Sequence, residues 1–152
     1  MNKKIGILGS GIVGLTLAKG LRELGNDVTI GSREGHDVDG WDGAVGTFTD
    51  VAKRAEIVVL AVKGLIAESV VASAREHLTN KTVIDTTNPL ANDPPTDGVV
   101  HYFTSLEESL MERLQAAAPA ANFVKAFNSV GNRWDDSSEV YWWPSDHVYL
   151  WK

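Results

Sequence analysis

Apolar residues along this chain fall in short compact runs that alternate with stretches of helical spacing. Lys4–Leu8 is such a run and reads as a strand. Gly11–Leu24 places Val13, Leu17, Leu21 and Leu24 at helical spacing, and Gly25 stands where a helix stops. Asp27–Ile30 reads as a second strand. The Gly- and Asp-rich stretch Gly35–Gly46 reads as loop, with a short strand at Ala44–Phe48 and a brief helix at Thr49–Ala55. Ile57–Val62, "IVVLAV", is apolar throughout, as expected of a strand buried on both faces. Leu65–Leu78 carries Leu65, Ile66, Val70, Val71, Ala74 and Leu78 on one helical stripe. Thr82–Thr86 is another strand, and the proline-bearing Pro89–Gly98 is loop. Thr104–Ala118 reads as a helix opened by a capping box, with Thr104 as N-cap and Glu107 three residues on. Asn122–Phe127 is the last buried strand. No internal repeat or low-complexity segment interrupts the series.

Strands alternating with helices imply right-handed crossovers and a parallel sheet covered on both faces. The expected class is therefore α/β, a Rossmann-type doubly wound sheet with strand order 3-2-1-4-5-6. Ligands of such sheets bind at the carboxyl ends of the strands. Here those ends are Gly9–Val13, Gly31–Arg33, Ala61–Gly64, Thr86–Pro89 and Ala126–Ser129. Segments distant in sequence are thereby expected to meet in one crevice.

The first of these ends carries "GSGIVG". Gly9 permits a tight turn out of the strand, Gly11 clears space for a pyrophosphate, and Gly14 lets the helix pack closely on the strand. The free amides around Ile12 and Val13, with the helix dipole behind them, then face the phosphates. The motif follows a strand and opens a helix, which is the context a dinucleotide site requires. The second end, "TIGSREG", has no carboxylate immediately after the strand to accept from a ribose 2′-hydroxyl. It offers the hydroxyl of Ser32 and the guanidinium of Arg33, a donor pair suited to a 2′-phosphate, so NADP(H) is expected. Glu34 either tethers Arg33 or points to solvent.

With 152 residues the chain is long enough for one domain with a real core. A net charge of -6 argues against a general nucleic-acid surface but not against one anionic ligand. There is no cysteine, which removes disulfides and thiolate metal sites. No run reaches the length of a membrane span, and the first residues lack a signal-peptide apolar core, so a cytoplasmic protein is expected. The four histidines, His36, His77, His101 and His147, are scattered, and no Ser-His-Asp set or metal cluster stands out. His77 reads as a surface residue at a helix end; His101 follows a loop that borders the crevice. Asp85 is either a catalytic carboxylate or a hydrogen-bonded structural group beside Thr86 and Thr87. Lys63 meets cofactor or solvent. Asn128 either reads a nicotinamide carboxamide or is a turn residue.

"IGILGSGIVG", "VTIGSR", "VVLAV", "VIDTTNP" and "VKAFNSVG" follow one another in the order found in the coenzyme F-420-dependent NADP oxidoreductases. The chain resembles that family from residue 4 to about residue 131, and it is also similar to the cytosolic reductase domain of the STEAP metalloreductases. The resemblance implies that Ser10, Gly11, Ile12 and Val13 form the pyrophosphate turn, between the motif glycines Gly9 and Gly14, and that Ser32 and Arg33 clamp the 2′-phosphate. It implies that Val62 and Lys63 lie over the adenosine side and ribose, although related sequences often have proline at Lys63. Asn88, Pro89, Phe127 and Asn128 then form the floor and rim of the nicotinamide pocket. The implied chemistry is hydride transfer between NADP(H) and a small-molecule redox carrier, a deazaflavin (F-420) or a flavin. Such a reaction asks the protein mainly to hold two rings face to face.

After Gly131 the family pattern continues through a further strand–helix–strand unit, whereas this chain reads "NRWDDSSEVYWWPSDHVYLWK". Residues 1–131 are therefore read as the NADP-binding domain and 132–152 as an atypical tryptophan-rich tail. A shifted reading frame, a shortened gene or a divergent tail would each produce such a change. Val140–Trp143 and His147–Trp151 suit extra edge strands, a cap on the sheet, a homodimer seam or a stacking platform. The expected activity is that of an NADPH-dependent oxidoreductase. A noncatalytic NADP(H)-binding module and an NADP-dependent dehydrogenase of a small substrate are the alternatives.

Overall fold

The computed structural model describes residues 2–129; the tail, with its expected strands and homodimer seam, lies outside the described residues. Six parallel strands form one sheet in the order β3-β2-β1-β4-β5-β6. They are β1 (Lys4–Leu8), β2 (Asp27–Ser32), β3 (Ala44–Thr47), β4 (Ile57–Leu60), β5 (Thr82–Asp85) and β6 (Asn122–Lys125). The helices are α1 (Ile12–Glu23), α2 (Phe48–Arg54), α3 (Gly64–Ala74) and α4 (Leu110–Ala117). The expected strand order is the observed one, with the reversal between β1 and β4.

Alternate residues of each strand enter opposite layers. Ile5, Ile7, Val28, Ile30 and Val59 pack with Leu17 and Ala18 of α1. Leu8, Val58, Leu60 and Val83 pack on the other face with α2, α3 and α4, through Val51, Ala67, Val70, Val71 and Leu114. The central strands are apolar throughout because both of their faces are covered. Among the described residues, no helix is long and apolar enough to cross a membrane.

The last strand, expected to be buried as far as Phe127, ends at Lys125 on the edge of the sheet and leaves Val124 half exposed. Three further elements differ from expectation. The helix expected over Thr104–Ala118 begins only at Leu110. Its cap is a capping box made by Ser109 and Glu112 rather than by Thr104 and Glu107. The same four-residue pattern occurs twice, and burial selects the second copy. Leu110 and Leu114 are buried one turn apart, whereas Leu106 is fully exposed and would anchor nothing. Ser105 Oγ meanwhile accepts from the Glu107 amide at 3.2 Å, a local turn that competes with helix.

The α3 stripe starts at Ala67, and the helix tightens into a 3-10 turn at Arg75–His77. Leu65 and Ile66, expected on the buried stripe, are exposed at its first turn. The proline-bearing loop is a small antiparallel arm, with Leu90 opposite Tyr102 and Thr96 opposite Val99. Asp97 and Gly98 turn its tip with φ of 52° and 80°, the paired left-handed residues of a type I′ hairpin.

A candidate dinucleotide cleft

The carboxyl ends of β1, β2, β4 and β5 open into a cleft of about 1270 Å³. That is larger than the ~300–1,000 Å³ of ordinary small-molecule pockets and suits an extended ligand. Its floor is the turn from β1 into α1. Gly9 has φ 134°, and a Cβ there would lie 2.2 Å from the Ala61 carbonyl oxygen. A Cβ on Gly14 would lie 2.1 Å from the Gly9 carbonyl oxygen. The turn and the helix thus touch backbone to backbone. Gly11 is the N-cap of α1, without a side-chain cap, and the first turn carries no acidic residue. The first helical amide bond is Leu15 N–H to Gly11 O at 2.9 Å. The preceding amides of Ile12, Val13 and Gly14 have no intrahelical acceptor and lie at the positive end of the helix dipole.

At the end of β2, Ser32 Oγ accepts from the Gly35 amide at 3.0 Å, which folds the chain back at once. Arg33 is exposed on the cleft wall, and its guanidinium has no hydrogen bond or ion pair among the described residues. Glu34 does not tether it: Glu34 Oε2 lies 3.2 Å from His36 Nε2. His36, Asp37, Val38 and Asp39 continue this wall. At the end of β4, Val62 and Lys63 reach the cleft, with Lys63 exposed as the N-cap of α3.

The end of β5 is fixed by a buried network. Asp85, with no solvent exposure, accepts at Oδ1 from the Thr87 amide at 2.9 Å and from Thr87 Oγ1 at 2.7 Å. Lys125 of β6 donates to Asp85 Oδ2 at 2.8 Å and also to the Thr87 carbonyl. Thr86 Oγ1 donates to the Leu60 carbonyl at 2.9 Å. Asp85 is therefore the hydrogen-bonded structural group of the two readings, and it does not line the cleft. Asn88 does. Its Nδ2 donates to the Asn128 carbonyl at 2.8 Å, and Asn128 Nδ2 approaches Asn88 Oδ1 at 3.5 Å.

Of the residues singled out in the sequence, Gly9, Ser10, Gly11, Ile12, Val13, Ser32, Arg33, Val62, Lys63 and Asn88 share this one cleft. Gly14 is not in the lining and packs on Gly9. Pro89 and Asn128, expected at the floor and rim of a nicotinamide pocket, are also outside the lining: the Pro89 carbonyl accepts from the Phe103 amide at 3.0 Å and the Asn128 carbonyl from Asn88. Phe127, at φ 62°, is half exposed outside the lining. His101 is bonded to Thr96 Oγ1 at 3.0 Å within the arm, also outside the lining. Sequence reasoning missed the apolar wall formed by Phe48, Leu65, Ile66, Leu90 and Ala91. The Asp97-Gly98 pair was the signal for the arm that delivers Leu90 and Ala91.

The donor set fits an NADP-type dinucleotide. Helix amides with no intrahelical acceptor suit a diphosphate, a guanidinium without a partner among the described residues and a hydroxyl on the same wall suit a further phosphate, and apolar walls suit flat rings.

Known proteins give the same picture. Residues 4–89, more than half of the chain, match the family described as NADP oxidoreductase, coenzyme F420-dependent. A structure from Arthrobacter sp. FB24, provisionally named an F420-dependent NADP reductase, superposes with a TM-score of 0.77 at 29% identity. That match covers 86% of this chain and 65% of that one, so the chain spans somewhat under two thirds of that relative's length. Plasmodium falciparum pyrroline carboxylate reductase, solved with NADP bound, gives 0.52 at 16% identity over 82% of this chain and 58% of that one. An Aspergillus terreus reductive aminase gives 0.57 at 18% identity over 82% and 40%; both share the fold. No curated protein sequence matches the chain. With its strand order, its glycine turn and the match over residues 4–89, the chain belongs to the family of coenzyme F420-dependent NADP oxidoreductases.

Proposed function

We propose that the chain binds NADP(H) in this cleft and works as an oxidoreductase, passing a hydride between NADP(H) and a deazaflavin- or flavin-like carrier. The observation that carries the cofactor choice is Arg33, which follows Ser32 at the end of β2, lines the cleft with it, and has a guanidinium without hydrogen bond or ion pair among the described residues. A planar permanent cation with a neighbouring hydroxyl holds a phosphate dianion and gains little from a bare ribose. The amides of Ser10, Gly11, Ile12 and Val13 take the pyrophosphate, and Val62 and Lys63 the adenosine side.

Bound NADPH supplies the hydride from its nicotinamide ring. The chain's part is binding and orientation. Asn88 lines the cleft just after β5, its side chain held by the bond from Nδ2 to the Asn128 carbonyl. Leu90 and Ala91 add to the lining an apolar surface that keeps water away from a flat ring. The hydride carries both electrons to the carrier, and the proton that completes the reduced carrier comes from solvent, so this reading assigns no side chain as acid or base. Membership of the family and the likeness to the Arthrobacter protein support the carrier class.

The test is a pair of titrations, NADPH and NADH, followed by calorimetry. Tighter binding of NADPH is expected, with Arg33→Ala weakening NADPH about 10- to 100-fold and NADH hardly at all. Equal losses for both would remove the 2′-phosphate assignment. Oxidation of NADPH in the presence of F420 or flavin mononucleotide, followed by absorbance, tests the carrier.

A further inference from the structure

The wall that carries Arg33 is a long crossing between β2 and β3, and it is fastened at its far end to α1. Trp41 packs against the apolar layer that includes Leu17 and Ala18, with Val38 beside it. Its amide donates to the Val38 carbonyl at 3.1 Å and its indole Nε1 to the Ala44 carbonyl at 3.2 Å. The Arg22 guanidinium of α1 lies 5.2 Å from the centre of the Trp41 ring and pairs with Asp42. Gly43 completes the fit, since a Cβ there would lie 2.5 Å from Trp41 Cζ2. At the near end, the Gly35 amide is tied to Ser32 Oγ. Arg33 and Glu34 lie within this near tie, and between it and Trp41 run His36, Asp37, Val38 and Asp39, all on the cleft wall.

We infer that Trp41 and Arg22 are positioning residues for cofactor choice: they clasp the crossing to α1 and so hold Arg33 and the carboxylates of Asp37 and Asp39 in fixed places on the cleft wall. The physical reason is the mixture of charge on this wall. Arg33 attracts a 2′-phosphate, whereas Asp37 and Asp39 repel it. Selectivity then depends on which group the crossing presents, and a loosened crossing lets the acidic side chains share the space. Neither Trp41 nor Arg22 lines the cleft, so each acts through the backbone between them and Arg33. The inference rests on the reading of Ser32 and Arg33 as 2′-phosphate contacts.

Arg22→Gln, Trp41→Ala and Trp41→Phe separate the parts of the clasp, and Arg33→Ala serves as reference. Arg22 is half exposed on a helix surface, so its variant folds even if Trp41→Ala does not. The readout is the ratio of the NADH and NADPH dissociation constants, with hydrogen exchange at the amides of residues 33–43. Arg22→Gln and Trp41→Ala are expected to raise the NADPH constant about 3- to 10-fold, leave NADH within about twofold, and speed exchange over residues 33–39. Trp41→Phe, which keeps the ring, is expected to retain most of the selectivity. If Arg33→Ala shifts the ratio and the clasp variants do not, the clasp is overturned and the phosphate reading stands. Equal weakening of both ligands in the clasp variants also overturns it, since that is loss of structure alone. Unchanged exchange in Arg22→Gln and Trp41→Ala overturns it without reference to any ligand. If Arg33→Ala leaves the ratio unchanged, the phosphate reading itself falls.

Discussion

Lys125 donates from Nζ to Asp85 Oδ2 at 2.8 Å, across neighbouring strands and in register, at the end of the sheet that faces the cleft. Asp85 is fully buried and Lys125 partly exposed. Removing the cation leaves a buried carboxylate with Thr87 as its only donor among the described residues. Lys125→Met is therefore expected to cost about 3 kcal/mol, the lower end of the range for breaking a buried pair, because the lysine retains some water. The double variant Asp85→Asn/Lys125→Met is expected to recover part of that loss. Urea denaturation measures both; a single variant as stable as wild type would mean that the pair contributes nothing to the fold.

Gly11 and Gly14 belong to one motif and are expected to fail in different ways. A Cβ on Gly11 meets nothing within 4 Å among the described residues, so Gly11→Val fits the folded chain and projects into space that a pyrophosphate needs. It is expected to keep its melting temperature and lose NADPH affinity by about 100-fold or more. A Cβ on Gly14 runs into the Gly9 carbonyl, so Gly14→Ala separates helix from strand. It is expected to lower stability by about 1–3 kcal/mol. Melting curves with and without NADPH distinguish the two, and retained affinity in Gly11→Val would remove the pyrophosphate turn.

The sheet was legible because its strands are continuous apolar runs and its crossovers obey one handedness, which together leave few orders to choose from. The glycine turn was legible because its spacing serves a backbone geometry that few other residues allow. Lys125 was hidden for a different reason. A lysine at the end of an apolar strand looks like an ordinary solvated terminus until the neighbouring strand is known, and only then does it stand opposite Asp85. The start of α4 was hidden because a capping pattern is local, whereas the choice between Thr104 and Ser109 was made by burial of Leu110 and Leu114 against the sheet. Leu65 and Ile66 misled in the opposite direction. Their apolar character serves the cleft rather than the core, a distinction that helical periodicity does not carry.

The arm that borders the cleft turns on Asp97 and Gly98. Gly98 has φ 80° with open space around its Cα, so a side chain there costs only backbone strain. Gly98→Ala is expected to destabilise the arm by about 1 kcal/mol while leaving the sheet intact. Limited proteolysis between Asp93 and Val99 is expected to accelerate several-fold, with little change in melting temperature. Asp97→Gly, which relieves φ 52°, is expected to do the reverse. Equal cleavage rates in all three proteins would show that the turn does not hold the arm.

Glu112 closes the capping box of α4. Hydrogen bonds from the Ser109 amide, at 2.6 Å, and from its hydroxyl, at 2.8 Å, hold the Glu112 carboxyl below its ordinary value. The folded chain thus binds this proton less readily than the unfolded chain. Stability from the box is present in full above the unfolded glutamate value of about 4.3 and is lost as pH falls through the lower folded value. Glu112→Gln cannot titrate. It is expected to melt below wild type at pH 7, and the gap is expected to close as the pH is lowered through the acid range. Melting temperatures of the two proteins, measured from pH 7 down to the acid limb, check this directly. A gap that stays constant with pH would mean that the carboxylate charge is not what the cap uses, and that the amide satisfies the Ser109 donors differently at every pH.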